Sequence, residues 1–263
     1  VLVYPSGIDL SSSTLRHLSR LLSARRRERG TRWRRLSADR QALLVLAHLR
    51  CGHTYAQLAA GFGVGIATVY RYVAEAVQVL AAVAPNLAAA ARTAAQGVRN
   101  PGRHPAAHRL GAPPGRRLGE IAADRPYYSG KHKRHGMNVQ VIADPFGRLL
   151  WASPALPGAV HGIKAARTHG VIEALAEAGA RCWADKGYQG ADGTVRVPYR
   201  GRWDKLSAGQ KAVNVSHARI RAVGEQAMTT LKSWRLLRKL RCSTTRITDL
   251  VKAVLALHLA TSS

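Results

Sequence analysis

A chain of 263 residues, 46% of them hydrophobic, can bury the core of one ordinary domain and a smaller second one. Its 41 Lys and Arg against 14 Asp and Glu give a formal charge of +27, spread along the whole length, which excludes an ordinary soluble enzyme and implies a polyanionic partner. No apolar run of about eighteen residues marks a membrane span, and the 3 scattered cysteines, without a C-x-x-C pair, support neither a disulfide framework nor a zinc ribbon. DNA or RNA fits this charge distribution better than a membrane surface, which would favour one juxtamembrane cluster. The expected location is a reducing cytoplasm, associated with a bacterial nucleoid.

Leu15 to Leu22 has helical spacing and runs into Arg25, Arg26 and Arg27, then Arg32, Arg34 and Arg35. Such a run alone is as much a solvated face as a phosphate contact; beside the next elements it reads as the latter. Ser37 is placed to cap a helix through about Arg50, with Leu43, Leu44 and Ala47 inward. Thr54-Tyr55-Ala56-Gln57 has capping-box spacing, and the short helix it opens breaks at Gly61 to Gly65 and restarts at Ile66. There Ile66, Val69, Tyr70, Val73 and Val77 share an inward face, leaving Ala67, Thr68, Arg71 and Tyr72 outward. The pattern predicts a helix-turn-helix over about 54–79. In that motif the second helix enters the major groove, so Thr68 and Arg71 are the base-edge or phosphate candidates. A helical hairpin with no nucleic-acid role has the same pattern, and the charge weighs against it.

Val77 to Ala91 continues as an Ala-rich helix, closing a basic helical domain over 1–92. Residues 93–120 read as an aberrant Pro/Gly/Arg-rich linker. Gly97 to Gly119 holds four prolines, five glycines and no acid, and no strand or helix of normal length is expected there.

Over 121–263 the signal is regular again. Alternation at Met137, Val139 and Val141 predicts a strand over Gly136 to Asp144, and Pro145 to Arg148 a turn into a second strand, Leu149 to Ala152. A helix over His161 to Ala178, strands at Arg181 to Asp185 and Val195 to Tyr199, a long helix from Ser207 to Lys239 and a last one from Thr248 to Leu259 complete an α/β domain on one mixed sheet. Asp185 then projects from the carboxyl edge of the sheet, while Glu225 sits on the long helix. Two such carboxylates can hold Mg²⁺, which prefers oxygen ligands and stabilises the attacking and leaving oxygens of a phosphodiester. The bland alternatives are an Asp in a tight turn and a helical Glu paired with Arg221.

Five motifs occur in an order that resembles the Asp-Asp-Glu transposases of bacterial insertion sequences, DDE-superfamily endonucleases with an RNase H-like core. They are the helix-turn-helix, Arg125-Pro126-Tyr127-Tyr128-Ser129-Gly130-Lys131-His132-Lys133, Pro157-Gly158-Ala159-Val160-His161, Ala184-Asp185-Lys186-Gly187-Tyr188, and Glu225 through Lys232. The resemblance implies a nuclease that binds double-stranded DNA at the inverted repeats of its mobile element and at its target, as a homo-oligomer. It implies nicking and joining of strands by in-line attack with two magnesium ions, manganese being a substitute. Transferred to this chain, Asp185 bridges the metals, Glu225 completes the cluster, and Lys131, Lys133, Arg134 and Lys232 contact DNA.

The chain departs from the family pattern twice. His161 is followed by Gly162 where the family tends to have Asp, and His161 is not counted as a metal ligand. The first catalytic aspartate, expected in an apolar strand ending Asp-Gly-Thr about twenty residues before Tyr127, has no counterpart in the Pro/Gly/Arg-rich stretch; Asp124, ahead of Arg-Pro, is no substitute. Over Asn100 to Arg109, codons can be chosen so that a frame displaced by one nucleotide reads Thr-Leu-Asp-Gly-Thr. A compensated pair of frameshifts between about Ala95 and Ile121 is therefore expected to have removed both the strand and its aspartate. Loss of one member of a cooperating catalytic set costs orders of magnitude in rate. The expected function is accordingly that of an impaired insertion-sequence transposase, the alternative being a non-catalytic, sequence-specific DNA-binding remnant.

Overall fold

The structure is a computed structural model that describes residues 10–31, 33–96, 106–110, 122–130, 133–191, 193–238 and 242–261. It divides into two compact units, one formed by the chain up to Ala84 together with the chain from Leu231 onward, the other by Pro85–Thr230.

The first unit is helical. Helices α1 (Ser12–Glu28) and α2 (Ala38–Leu46) begin at Ser11 and Ser37, whose hydroxyls accept from the backbone N–H groups of Thr14 and Arg40. Such caps satisfy donors that the first turn leaves free. A π-helical turn, Ala47–Cys51, extends α2 and ends at Gly52, whose φ of 72° suits glycine. The capping box at Thr54 and Gln57 is present at the start of α3 (Tyr55–Phe62), and Gly63, at φ 65°, turns the chain toward α4 (Ile66–Ala82). Val69, Tyr72, Val73, Ala76, Val77 and Leu80 form the buried face of α4.

Helix α4 packs along α9 (Thr244–Leu259), which buries Ile247, Leu250, Val251 and Val254. The closing helix of the chain therefore belongs to the helix-turn-helix unit. In sequence it closes the region 121–263 expected to form the α/β domain, but it packs in the helical unit. The first boundary also moves: the helix expected to run through Ala91 stops at Ala82, and α5 (Leu87–Gln96) belongs to the second unit, with Asn86 accepting from the Ala89 N–H at 2.8 Å.

The second unit carries one mixed sheet, the α/β architecture predicted. Its strands are β1 (Ala106–Leu110), β4 (Met137–Ala143), β5 (Leu149–Ala152), β7 (Cys182–Trp183) and β8 (Val195–Arg196), in spatial order β5-β4-β1-β7-β8. Strand β6 (Leu156–Pro157) pairs with β4, and β2 (Tyr128–Ser129) and β3 (Arg134–His135) form a separate hairpin. Strand β4 is antiparallel to both β5 and β1, whereas β1, β7 and β8 run parallel. Ala90, Ala91 and Ala94 of α5 join Ile142, Trp151, Cys182 and Leu175 in the core, alongside α6 (Gly162–Thr168) and α7 (Val171–Glu177). The single helix expected over His161 to Ala178 is these two, broken at Gly170, where φ is 66°.

Strand β1 corrects the expectation of a structureless linker. It lies inside the sheet, in register with β4 from Ala106↔Ala143 to Leu110↔Val139 and with β7 at Ala106↔Trp183. Backbone pairing on both sides imposes the strand despite the flanking prolines, because β propensity yields to context. The expected loss of the strand is thereby contradicted. The carboxylate remains missing, since Ala-Ala-His-Arg-Leu contains no acid.

Candidate functional site

Asp185 follows β7 and caps a single 3-10 turn, Lys186–Tyr188. One of its carboxylate oxygens accepts the Gly187 N–H at 2.6 Å, and a Cβ at position 187 would lie 2.8 Å from that oxygen. A side chain at position 187 would therefore displace the Asp185 carboxylate from this hydrogen bond. Below it, Tyr188 is buried and donates its hydroxyl to Gln140 Oε1. Gln140 donates to Asn138 Oδ1 at 2.6 Å, and Asn138 to the Val160 carbonyl at 2.7 Å, just before the start of α6. This buried polar chain ties the Asp-Lys-Gly-Tyr turn to the Pro-Gly-Ala-Val-His segment through β4. Buried polar groups need such partners, so the chain specifies one arrangement of the three elements.

The Pro157-Gly158 segment is fixed equally tightly against the basic motif. Ala159 N–H donates to the Pro126 carbonyl at 3.0 Å, and a Cβ on Gly158 would stand 2.4 Å from the Gly136 carbonyl oxygen and 2.6 Å from that of Tyr127.

Helix α8 (Ala208–Ser233) presents His217, Arg221 and Glu225 at successive four-residue intervals, hence on one stripe. His217 is buried and hydrogen-bonds the Arg196 carbonyl through Nε2 at 3.2 Å. Burial pulls its pKa below the ordinary imidazole value, Arg221 adds to that, and the Arg196 carbonyl and the Asp185 charge oppose it. The Asp185 carboxylate is thus within electrostatic reach of this stripe. Sequence reasoning missed His217; its eight-residue spacing to Glu225 is the one signal that could have found it.

Glu225 is 62% exposed and pairs with Arg221 at 3.1 Å, the bland alternative for this residue. Among the described residues no three His, Cys, Asp or Glu side chains converge to hold a cation. With Asp185 bonded to Gly187, Glu225 paired with Arg221 and no acid in β1, the donors among the described residues do not fit the two-ion magnesium centre that the resemblance implies.

On the helix-turn-helix, Ala67 and Arg71 are exposed and Thr68 half-buried, Arg71 lying 3.4 Å from the Thr68 hydroxyl. The helix is rotated relative to the expectation. Tyr72 is buried and its hydroxyl accepts the Leu36 N–H at 3.3 Å, whereas Ile66 and Tyr70 are 56% and 49% exposed. Arg246 of α9 stands over the Tyr70 ring and donates to the Tyr55 hydroxyl at 3.2 Å, a contribution that no local pattern signals.

The remaining predicted DNA contacts separate into two groups. Arg25 is paired with Glu28 on the surface, and Arg27, Arg35, Lys133 and Lys232 are exposed. Arg26 and Arg34 differ from the expectation. Arg26 donates to the Leu36 carbonyl at 3.0 Å and to Gln41 at 2.7 Å, and Arg34 pairs with Glu75 at 3.0 Å beside the Tyr72 ring. Both guanidiniums hold the helices together. Arg134 is placed by its backbone in β3, opposite Ser129. Arg32 and Lys131 lie outside the described residues. No single described helix is long and apolar enough to cross a membrane.

Comparison with known proteins separates a helix-turn-helix region from an endonuclease region that runs through α9, although α9 packs in the helical unit. The family model described as DDE superfamily endonuclease matches residues 114–258, and the helix-turn-helix of DDE superfamily endonuclease matches residues 34–86. No curated protein and no solved structure matches the chain. The matched endonuclease region covers more than half of the sequence, so this chain belongs to the DDE superfamily of endonucleases.

Proposed function

We propose that the protein is an insertion-sequence transposase by descent that binds the inverted-repeat ends of its element and is impaired in cutting and joining DNA. The observation that carries this reading is the composition of β1. It occupies the sheet position between β4 and β7, beside the strand that leads to Asp185, and contains no carboxylate. The surrounding apparatus supports retained DNA binding: a braced helix-turn-helix with exposed Arg71, exposed arginines on α1, and a charge of +27.

Charge alone gives salt-sensitive binding without sequence preference, whereas base-edge contacts give preference. Competition between a duplex carrying the repeats that flank the gene and a scrambled duplex, at moderate salt, tests this reading. Preference of more than about a hundredfold for the repeat supports it, and equal affinity for both duplexes refutes sequence-specific binding.

A further inference from the structure

The loop that follows β8 is built as a shelf of aromatic and basic side chains. From Tyr199 to Lys205 every residue is exposed, and the two rings are among the most exposed large hydrophobics of the second unit, Tyr199 at 46% and Trp203 at 56%. Arg200, Arg202, Lys205 and Lys211 flank them in sequence, and Asp204, the one acid between Tyr199 and Lys211, pairs with Arg202 at 3.4 Å on the surface. Lys211 Nζ lies 5.9 Å from the Trp203 ring centroid.

This shelf is held, not trailing. The Asn214 side chain clamps the backbone of Tyr199 from both sides, accepting its N–H at 2.8 Å and donating to its carbonyl at 3.2 Å. Gln189, just after the Asp185 turn, donates to the Pro198 carbonyl at 2.8 Å. Because β7 and β8 are parallel, their carboxyl ends lie at the same edge of the sheet, so Tyr199 emerges at the edge from which Asp185 projects.

Solvent-exposed aromatic rings interleaved with cations match one chemistry well. Unpaired nucleotides offer π faces to stack on aromatic rings and phosphates to pair with Lys and Arg, whereas paired bases keep their faces inside the duplex. We propose that Tyr199 and Trp203, with Arg200, Arg202 and Lys211, form a binding site for unpaired single-stranded DNA beside Asp185. The proposal rests on the DNA-binding reading above. Self-association through this face is disfavoured, since it would bring two strongly cationic surfaces together.

The test is anisotropy binding of the full chain to a labelled oligodeoxythymidine of about twenty nucleotides and to a duplex of the same length. Trp203→Ala and Tyr199→Ala are each expected to weaken oligodeoxythymidine binding about tenfold with duplex affinity nearly unchanged, and Trp203→Phe to retain most of it. Since Trp203 is 56% exposed, its thermal midpoint is expected to stay at the wild-type value. Equal losses on both probes, no loss on either, or a loss that accompanies a change of oligomeric state in sedimentation would overturn the proposal. A wild-type chain that binds duplex but not oligodeoxythymidine overturns the proposal alone. A chain that binds neither overturns the DNA-binding reading with it.

Discussion

The Arg246 guanidinium, in the last helix of the chain, stands 5.3 Å from the ring centroid of Tyr70, in the second helix of the helix-turn-helix. The same arginine donates to Tyr55, whose ring meets Tyr70 edge-on at 6.0 Å, so one residue of α9 ties α3 to α4. Because α9 also supplies the apolar face against α4, the DNA-binding unit is incomplete without it. A fragment ending at Ala84 is expected to show no cooperative thermal transition and no repeat-specific binding, while Arg246→Ala in the full chain lowers stability by about 1–2 kcal/mol. Calorimetry of the two proteins checks both statements; a cooperative melt from the short fragment would show that α9 is dispensable.

Neighbouring arginines of α1 are expected to behave oppositely. Arg26→Ala leaves the Leu36 carbonyl and the Gln41 side chain without their donor, costing about 1–3 kcal/mol, with no change in the salt dependence of DNA binding. Arg27 is exposed, so Arg27→Ala is expected to leave the thermal midpoint alone and to reduce the slope of log affinity against log salt by about one. Titrations at several salt concentrations, paired with melts, separate the two behaviours.

Gly158 has no room for a side chain, because two carbonyl oxygens lie within 2.6 Å of where a Cβ would be. Gly158→Ala is expected to destabilise by about 1–3 kcal/mol, since backbone must move to admit the methyl. Gly130→Ala is the control, as nothing lies within 4 Å of its Cβ position. Urea unfolding of the pair should show the loss at Gly158 only.

Acid should weaken the fold through buried histidines. Burial is the main cause that lowers the pKa of both His48 and His217, so each resists protonation more in the folded than in the unfolded chain. Below the unfolded value of about 6.5 the unfolded chain therefore binds more protons, and stability rises with pH there. Full stability is expected above about pH 6.5, declining as the pH falls from that value until the folded-state imidazoles also titrate. Thermal melts across this range should show the decline, and His48→Asn with His217→Gln, which keep a side-chain donor, should make it shallower, with His17, His169 and His258, whose pKa values burial also lowers, supplying the remainder.

Local signals were legible in the sequence because they are enforced locally. Ser37 and Thr54 cap the helices they were expected to cap, the Gly61 to Gly65 stretch turns the motif, and Asp185 sits after a strand and caps the turn that follows. What escaped depends on distant partners. The outward place given to Tyr72 failed because its hydroxyl finds the Leu36 N–H, which lets a polar tip enter the core. Tyr70 was read as core, yet it is half-exposed and partly covered by an arginine that lies far along the chain. Strand β1 has neither alternation nor β-branched residues, and only its two neighbours define it. Arg26 and Arg34 were indistinguishable by sequence from their solvated neighbours.

Nicking of a supercoiled plasmid carrying the element's ends, in magnesium, with Asp185→Ala and Glu225→Ala run alongside, tests the proposed loss of cleavage most directly. We expect repeat-specific binding with no magnesium-dependent nicking above background, the two variants being indistinguishable from the parent chain. Nicking by the parent that either substitution abolishes would contradict this, and would mean that another group does the work of the missing aspartate.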